Sequence, residues 1–472
     1  MRQLSNNELI IPMFPEEFIR RLRSQEYIDS ELLLHSLDEP AKASIRINPG
    51  KWNNKPVDAS HVPWCKTGFT LKERPSYTAD PLFHAGCYYP QEASGMFLEE
   101  IFHQFFAGRK NVRVLDLCAA PGSKSTHLAT LIGENGCLIA NEVIKSRAHV
   151  LAENITKWGF PNTIVICNSP SEIGHLKGYF DLILVDAPCS GEGMFRDIKT
   201  REEWSEENAL LCYKRQRRIL LDIWPALKED GILIYSTCTF NPSENEENVK
   251  WLTENTLCDN IKINISSFPE IEEINYKGIT GYGFYPGKTK GDGFFVAVVR
   301  KNERTAEFAF KHSDRHNGIS SSDIKIAGEI TNDYPCDFHK FGDTVYHIPI
   351  PSVEIQTLGR SLRIIKPGTA LFKHLKNDFI PLHDLAVSLL TKENSFPAVE
   401  LDYKQAISYL KKDNIIISGP TIGWNIVKYR GANIGFIKSL GNRVNNYYPI
   451  EFRIRIDEKL LYKKKIINWE TY

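Results

Sequence analysis

The sequence has no net charge, no closely spaced cysteines and no long apolar run. Its 58 Lys+Arg and 58 Asp+Glu cancel over 472 residues. That balance excludes a basic nucleic-acid coat and a solvating acidic chain, so an anionic partner must be held by a local patch. The ten cysteines are spread out, and the closest pair, Cys118 and Cys137, is 19 positions apart. Without a Cys-x-x-Cys there is no zinc ribbon or thioredoxin-type motif, and no metal ligand set is assigned. The opening MRQLSNNELI lacks the apolar stretch of a secretory signal, and no run is long enough to cross a bilayer. These absences predict a cytoplasmic protein with reduced thiols and no membrane partner. Internal repeats and low-complexity tracts are missing as well.

What is present is ordinary for a globular chain. With 42% hydrophobic and 25% charged residues, it can bury a sizeable core in about two to four domains. Residues 11–38 place Phe18, Leu22, Tyr27, Leu32 and Leu33 at roughly helical spacing. SIRINP (44–49) and GFTLKE (68–73) are strand-like, and 90–106 reads as an amphipathic helix with Glu92 in its first turn. From 112 to 300, short β-branched runs at 112–117, 137–142, 163–167, 180–187, 231–237 and 293–299 alternate with helical stretches, most clearly 145–158, 205–228 and 242–256. Strands alternating with helices predict an α/β fold with a mainly parallel, doubly wound sheet.

Residues 301–330 are polar and helix-poor and read as a linker; 342–395 form a compact mixed segment. A final unit at about 399–456 starts with a helix-like DYKQAISYLKK and continues as the strands GWNIVKY and ANIGFIKS. Charge divides at the same place. Residues 301–472 hold 25 Lys+Arg and 19 Asp+Glu, a balance of +6, which leaves −6 for residues 1–300. Between 403 and 450, Lys404, Lys411, Lys412, Lys428, Arg430, Lys438 and Arg443 face the single acid Asp413. Tyr403, Tyr409, Trp424, Tyr429, Phe436, Tyr447 and Tyr448 are interleaved with them. Basic plus aromatic suits an RNA backbone with exposed bases; it equally describes a solvated surface over core aromatics.

In a doubly wound sheet, ligands bind outside the carboxyl ends of the strands. Here five such ends deliver Asp116 followed by LCAAPGSKS, then Glu142, Asn168, DAPCSGEG with Asp186 and Cys189, and STCTFNPSENEENV with Cys238. Ala119, Ala120, Gly122 and Ser123 form a turn of small residues that lets backbone approach a ligand closely. The phosphate-loop pattern is absent, because Ser123 separates Gly122 from Lys124 and position 117 is Leu. A carboxylate at Glu142 can accept both hydroxyls of a ribose, which fits a nucleoside-type cofactor. A cysteine taken singly is most often buried and inert. Cys189 and Cys238 stand apart because both follow strands, in polar loops directed at one crevice.

LDLCAAPGSKS, DAPCSGEG and YSTCTFNPSENEENV, in this order, resemble the Nop/Sun family of S-adenosylmethionine-dependent RNA cytosine-5 methyltransferases over residues 90–300. The remainder, including GWNIVKY, GFIKS and NNYYP, is similar to the RsmF-type branch, bacterial ribosomal RNA methyltransferases with a C-terminal PUA-like domain. The resemblance implies an N-terminal α/β RNA-recognition extension (1–110), a Rossmann-like class I methyltransferase domain (111–300), a linker and middle module (301–398) and a small α+β PUA-like domain (399–472). It implies S-adenosyl-L-methionine as cofactor, with Cys118, Ala119, Ala120, Pro121, Gly122, Ser123 and Lys124 around its methionine end. Glu142 would hold the ribose, Asn168 the adenine, and Asp186 would lie beside both cofactor and target base. RNA would be gripped by Lys411, Lys412, Lys428, Arg430, Lys438 and Arg443. Two positions depart from the family: Asn168 stands where Asp is frequent, and Gly287 where His is common.

The chemistry explains why such an enzyme carries two thiols. Carbon 5 of cytosine is too electron-poor to take a methyl group until a thiolate adds at carbon 6, which is covalent catalysis. A base must then remove the carbon-5 proton so that the thiol can leave. The family assigns attack to Cys238 and release to Cys189; the Pro-Cys arrangement of DNA-type cytosine methyltransferases would instead give attack to Cys189. The target base must be unstacked to be reached. The expected substrate is small-subunit (16S) ribosomal RNA, free or in the small subunit, with tRNA as the alternative and a monomer as the expected state. A non-catalytic ribosome assembly factor on the same fold is disfavoured by the presence of both cysteines. A protein or small-molecule methyltransferase leaves the thiol pair and basic tail unexplained.

Overall fold

The β-branched runs of the central region become strands because each is buried on both faces between helices. In the computed structural model, which describes residues 14–470 apart from 307, 309, 311–317, 336, 376–377 and 458–460, five of them are parallel: Val112–Asp116, Gly136–Asn141, Thr163–Ile166, Phe180–Asp186 and Leu227–Thr237. The first is central, with the second on one side and the fourth on the other. This reversal of strand order opens a crevice at the carboxyl ends of the first and fourth strands. Phe294–Lys301 joins antiparallel beside Leu227–Thr237, and the hairpin Glu272–Tyr276/Ile279–Phe284 extends that edge.

The helices follow their local signals. Lys145–Trp158 ends at Gly159 in the left-handed region, as a helix C-terminus often does. Glu206–Ile223 starts on Ser205, whose side chain accepts from the Asn208 N–H. It stops short of residue 228, because Pro225 sits in a 3-10 turn (Trp224–Ala226) leading into the fifth strand.

Around this sheet the structure departs from several expectations. The helical stretch at 11–38 is two helices, Glu16–Arg23 and Ser30–Asp38, with residues 11–13 outside the described ones. Glu92 precedes the helix Leu98–Phe106 rather than opening it; its carboxylate accepts from the N–H groups of Ser94, Gly95 and Asp292 at 2.9 Å each. The reading of 301–330 as helix-poor is corrected, since Ser321–Ile330 is a helix capped by Ser320 and Asp323. The middle segment forms its own four-stranded antiparallel sheet from Asp337–Phe341, Thr344–Ile348, Thr369–Leu375 and Asp378–Pro381. It also lends Ile364–Lys366 to the large sheet, antiparallel to Thr163–Ile166.

The N-terminal sheet is built from Ser44–Ile47, Ala59–His61, Gly68–Leu71 and Tyr88–Pro90. It shares one apolar core with the C-terminal unit, in which helix Tyr403–Leu410 packs on strands Gly423–Tyr429 and Ala432–Ser439. Tyr88 lies 5.4 Å from Trp469 between ring centroids, and the Val57 and Ser76 N–H groups donate to Asn468 and Lys465. The N-terminal sheet and the C-terminal unit are therefore packed together.

Candidate active site

The crevice is lined by strand-end loops. After Asp116, the chain passes through Cys118, Ala119, Ala120, Pro121 and Gly122 into the helix Ser123–Ile132. Ala119 and Ala120 are buried against Leu151, Ile155 and Val165, which seats the loop on the sheet. Ser125 Oγ donates to Asp116 Oδ2 at 2.6 Å, whereas Asp116 Oδ1 is buried with no hydrogen-bond partner. Burial pushes the Asp116 carboxyl up to about 7, and burial also raises the half-buried Cys118 thiol.

Lys124 reaches across to Asp186, Nζ to Oδ2 at 2.8 Å, while Ser236 Oγ donates to Asp186 Oδ1 at 2.7 Å. Both carboxylate oxygens of Asp186 are thus fixed. Burial opposes charge on Lys124, but Asp186 outweighs it and holds the ammonium above its usual range.

Cys189 and Cys238 come together with their Sγ atoms 3.1 Å apart, and the Cys238 N–H points at Cys189 Sγ at 3.3 Å. Contact with Cys238, together with burial, pushes the Cys189 thiol well above its ordinary range. The loops cross so closely that a Cβ on Gly193 would come within 2.6 Å of the Gly293 carbonyl and 3.0 Å of the Cys238 carbonyl, so no larger residue fits there.

A buried carboxylate braces this crossing. Glu244 accepts from Ser190 N–H at 2.9 Å, Ser190 Oγ at 2.5 Å and Gln216 Nε2 at 3.0 Å, and Gln216 Nε2 also reaches the Pro188 carbonyl at 3.0 Å. Burial raises the Glu244 carboxyl.

Glu142 is buried, with Oε1 accepting from the Ile144 N–H at 2.9 Å and Oε2 3.3 Å from Arg147. Arg147 also donates to the Ala120 carbonyl at 2.9 Å, tying the second strand end to the first loop. Asn168 has protein partners on both of its side-chain polar atoms. Its Oδ1 accepts the Arg363 N–H at 3.0 Å and its Nδ2 donates to Glu172 at 3.3 Å, so the strand Ile364–Lys366 has claimed the side chain. Gly287 has its own explanation: at φ +96°, a Cβ there would lie 2.6 Å from Leu32 Cγ and 2.8 Å from Ser36 Oγ, so the N-terminal helix occupies the room that a histidine needs.

The basic aromatic segment divides. Tyr409, Phe436 and Tyr448 are buried and form core, so for these three the core alternative holds. Lys412 is spent on the carbonyls of Tyr448 (2.5 Å) and Asn446 (3.3 Å), and Lys411 lies 3.6 Å from Asp413. Lys438 sits over the Trp424 ring. Lys428 is half-buried, while Arg430 and Arg443 are exposed.

Sequence reasoning missed Arg147, Gln216 and Glu244, which act through other residues. It also missed Cys65, Glu99 and His127, whose donor atoms gather within 4.8 Å in the buried core. There His127 Nε2 is 3.0 Å from Glu99 Oε2, and burial pushes the His127 imidazole down to about 4.

With this geometry in hand, the relatives are decisive. The ribosomal RNA small subunit methyltransferase F of Vibrio atlanticus (strain LGP32) is 30% identical over 475 residues, covering 93% of this chain and 97% of the relative. The chain belongs to the RsmF family. That of Enterobacter sp. (strain 638) is 29% identical over 476 residues, with 93% and 95% covered. Three family descriptions match the chain along its length: the N-terminal domain of 16S rRNA methyltransferase RsmF at 14–93, 16S rRNA methyltransferase RsmB/F at 104–300, and the methyltransferase RsmF PUA domain at 396–454. A methyltransferase homologue from Pyrococcus horikoshii is 28% identical with a TM-score of 0.50, covering 60% of this chain and 93% of its own. The NSun6 protein of Pyrococcus horikoshii shares the fold, with 21% identity, a TM-score of 0.52 and 61% and 99% covered. The family member described here is an S-adenosylmethionine-dependent methyltransferase. Its site fits that cofactor: the unpartnered Asp116 Oδ1 can accept from the methionine ammonium, and the small residues Ala119, Ala120 and Gly122 of the turn allow close backbone approach. Among the described residues, no helix is long and apolar enough to cross a membrane.

Proposed function

We propose that this protein methylates carbon 5 of a cytosine in small-subunit (16S) ribosomal RNA, with Cys238 as nucleophile and Cys189 as the base that ends the reaction. The observation that carries the reading is the 3.1 Å approach of the two thiols beside the Lys124–Asp186 pair. The relatives' names favour ribosomal RNA over tRNA. We divide the chain at 110, 300 and 398 as the motifs suggest, place it in the cytoplasm as a monomer without metal, and assign Arg430, Arg443 and Lys428 to RNA contact.

S-adenosylmethionine supplies an electrophilic methyl group on a sulfonium. The protein does the rest. Asp116, residues 118–124 and Glu142 would hold the donor, with Asn168, tied to Arg363, toward its adenine. Cys238 adds to carbon 6 of the unstacked base as its thiol proton passes to the ring nitrogen, and electron density moves to carbon 5. Lys124 and Ser236 orient the Asp186 carboxylate to accept from the amino group of the base, which grows more positive as the ring nitrogen is protonated. The Cys238 N–H keeps Cys189 Sγ in place; once Cys238 is bonded to carbon 6 and no longer opposes a charge on its neighbour, Cys189 gives its own proton to solvent, and the thiolate takes the carbon-5 proton before Cys238 is expelled.

The test is a trap. With 16S RNA and S-adenosylmethionine, Cys238→Ala yields neither methylation nor covalent complex, whereas Cys189→Ala accumulates enzyme bound to RNA through a denaturant-stable bond. An adduct from the Cys238 variant and none from the Cys189 variant reverses the two roles.

A further inference from the structure

The helices Glu16–Arg23 and Ser30–Asp38 form a hairpin laid across the loops that carry both thiols. Phe18 packs on Phe195 at 4.8 Å between ring centroids, and Arg196 and Arg201 donate back to Ser36, Glu39 and Asp38. From this hairpin Arg21 reaches the fully buried Glu192, three residues after Cys189. The other oxygen of Glu192 accepts the N–H of Phe240, two residues after Cys238, at 3.1 Å. Beside it, the Gly193 N–H donates to the Cys238 carbonyl at 2.9 Å. One carboxylate therefore spans both cysteine loops, and its counter-charge comes from outside the catalytic sheet. A buried carboxylate deprived of its partner is costly to keep in place, so the register of the two loops depends on Arg21.

We propose that Arg21 is a positioning residue for the methyl transfer: through Glu192 it holds the Cys189 and Cys238 loops so that both thiols meet one target base. The proposal rests on the functional reading above and makes the N-terminal hairpin part of the active-site scaffold as well as an RNA-recognition element.

The experiment uses the full chain with two substitutions. Arg21→Met removes the guanidinium together with its cation–π contact to Trp204, and Arg21→Lys keeps the charge. With 16S RNA, the methionine variant is expected to lose about tenfold or more in kcat, because small misplacements of reacting groups cost that much. Its cofactor Kd and RNA KM should stay within about threefold, a split that marks a loss made only in the transition state. The lysine variant recovers most of the rate. A second measurement needs no RNA: diamide takes two protons and two electrons from the thiol pair and leaves a Cys189–Cys238 disulfide. Its rate reads the spacing of the sulfurs whether or not the RNA assignment holds, and it should fall about tenfold in Arg21→Met. Arg21→Met/Glu192→Gln removes both charges, restores thermal stability and keeps the slow cross-linking. Wild-type cross-linking in Arg21→Met, or its recovery in the double variant, overturns the proposal.

Discussion

Cys189 Sγ and Cys238 Sγ lie 3.1 Å apart at the meeting point of two loops separated by 49 positions in sequence. This proximity suits the proposed action on one base, and it also makes the pair oxidisable. A thiolate attacked by an oxidant condenses with a neighbouring thiol in preference to being oxidised further. Mild diamide treatment is therefore expected to join the two residues and abolish methyl transfer, and dithiothreitol to restore it. Peptide mapping reads the link directly. Inactivation with both thiols still free would show that the sulfurs do not meet in solution.

Glu244 is expected to behave as a brace with a measurable energetic role. Its carboxylate answers donors from Ser190 and Gln216 in a site without water access. Glu244→Ala leaves those groups unsatisfied, each costing about 1–3 kcal/mol. Urea unfolding followed by tryptophan fluorescence should show a loss of about 2–5 kcal/mol. A change under about 0.5 kcal/mol, the usual range for an ordinary surface substitution, would remove Glu244 from the scaffold.

Asp116 gives a pH dependence of defined sign. Burial raises its carboxyl from 3.8 to about 7 in the folded protein. A carboxyl raised on folding contributes stability that is full below its unfolded value and lost as pH rises through the folded one, here across about 4 to 7. Cofactor binding runs the opposite way, because the ammonium it brings favours the carboxylate. S-adenosylmethionine affinity should rise about tenfold between pH 6 and pH 8. Asp116→Asn should bind more weakly, with this dependence flattened. Calorimetric titration at the two pH values checks it, and equal slopes for both proteins would remove Asp116 from the site.

The parallel sheet was legible because its strands are buried runs of one residue character, and strand-end chemistry follows from that topology. Asp116, Glu142, Asp186, Cys189 and Cys238 could be picked out from one-dimensional pattern alone. Contacts made across long separations could not. Three residues, Ile364–Lys366, extend a sheet edge laid down 200 positions earlier and redirect Asn168. The aromatics of 403–450 could not be sorted for a related reason: Phe436 is buried and Tyr447 exposed, and composition does not register which of them meets the core.

Binding of RNA by the C-terminal unit has to be tested by surface charge, because removing the unit would damage the fold. Tyr409, Tyr448 and Trp469 share a core with Ile45, Phe69 and Tyr88. A buried large side chain is worth about 1.5–3 kcal/mol, so exposing several of them rivals a whole domain's stability of about 5–15 kcal/mol. Deleting 399–472 is thus expected to give an aggregating protein that has lost cofactor binding along with RNA binding. Replacing the exposed Arg430 and Arg443 together by Glu should leave thermal stability and S-adenosylmethionine affinity unchanged. It should weaken 16S RNA binding and lower the slope of log K against log salt by about 2, one for each phosphate contact. Lys412→Ala should do the reverse, lowering stability through the lost ties to Tyr448 and Asn446 while leaving the salt slope in place. An unchanged slope in the double-arginine variant would move the RNA grip off this face of the domain.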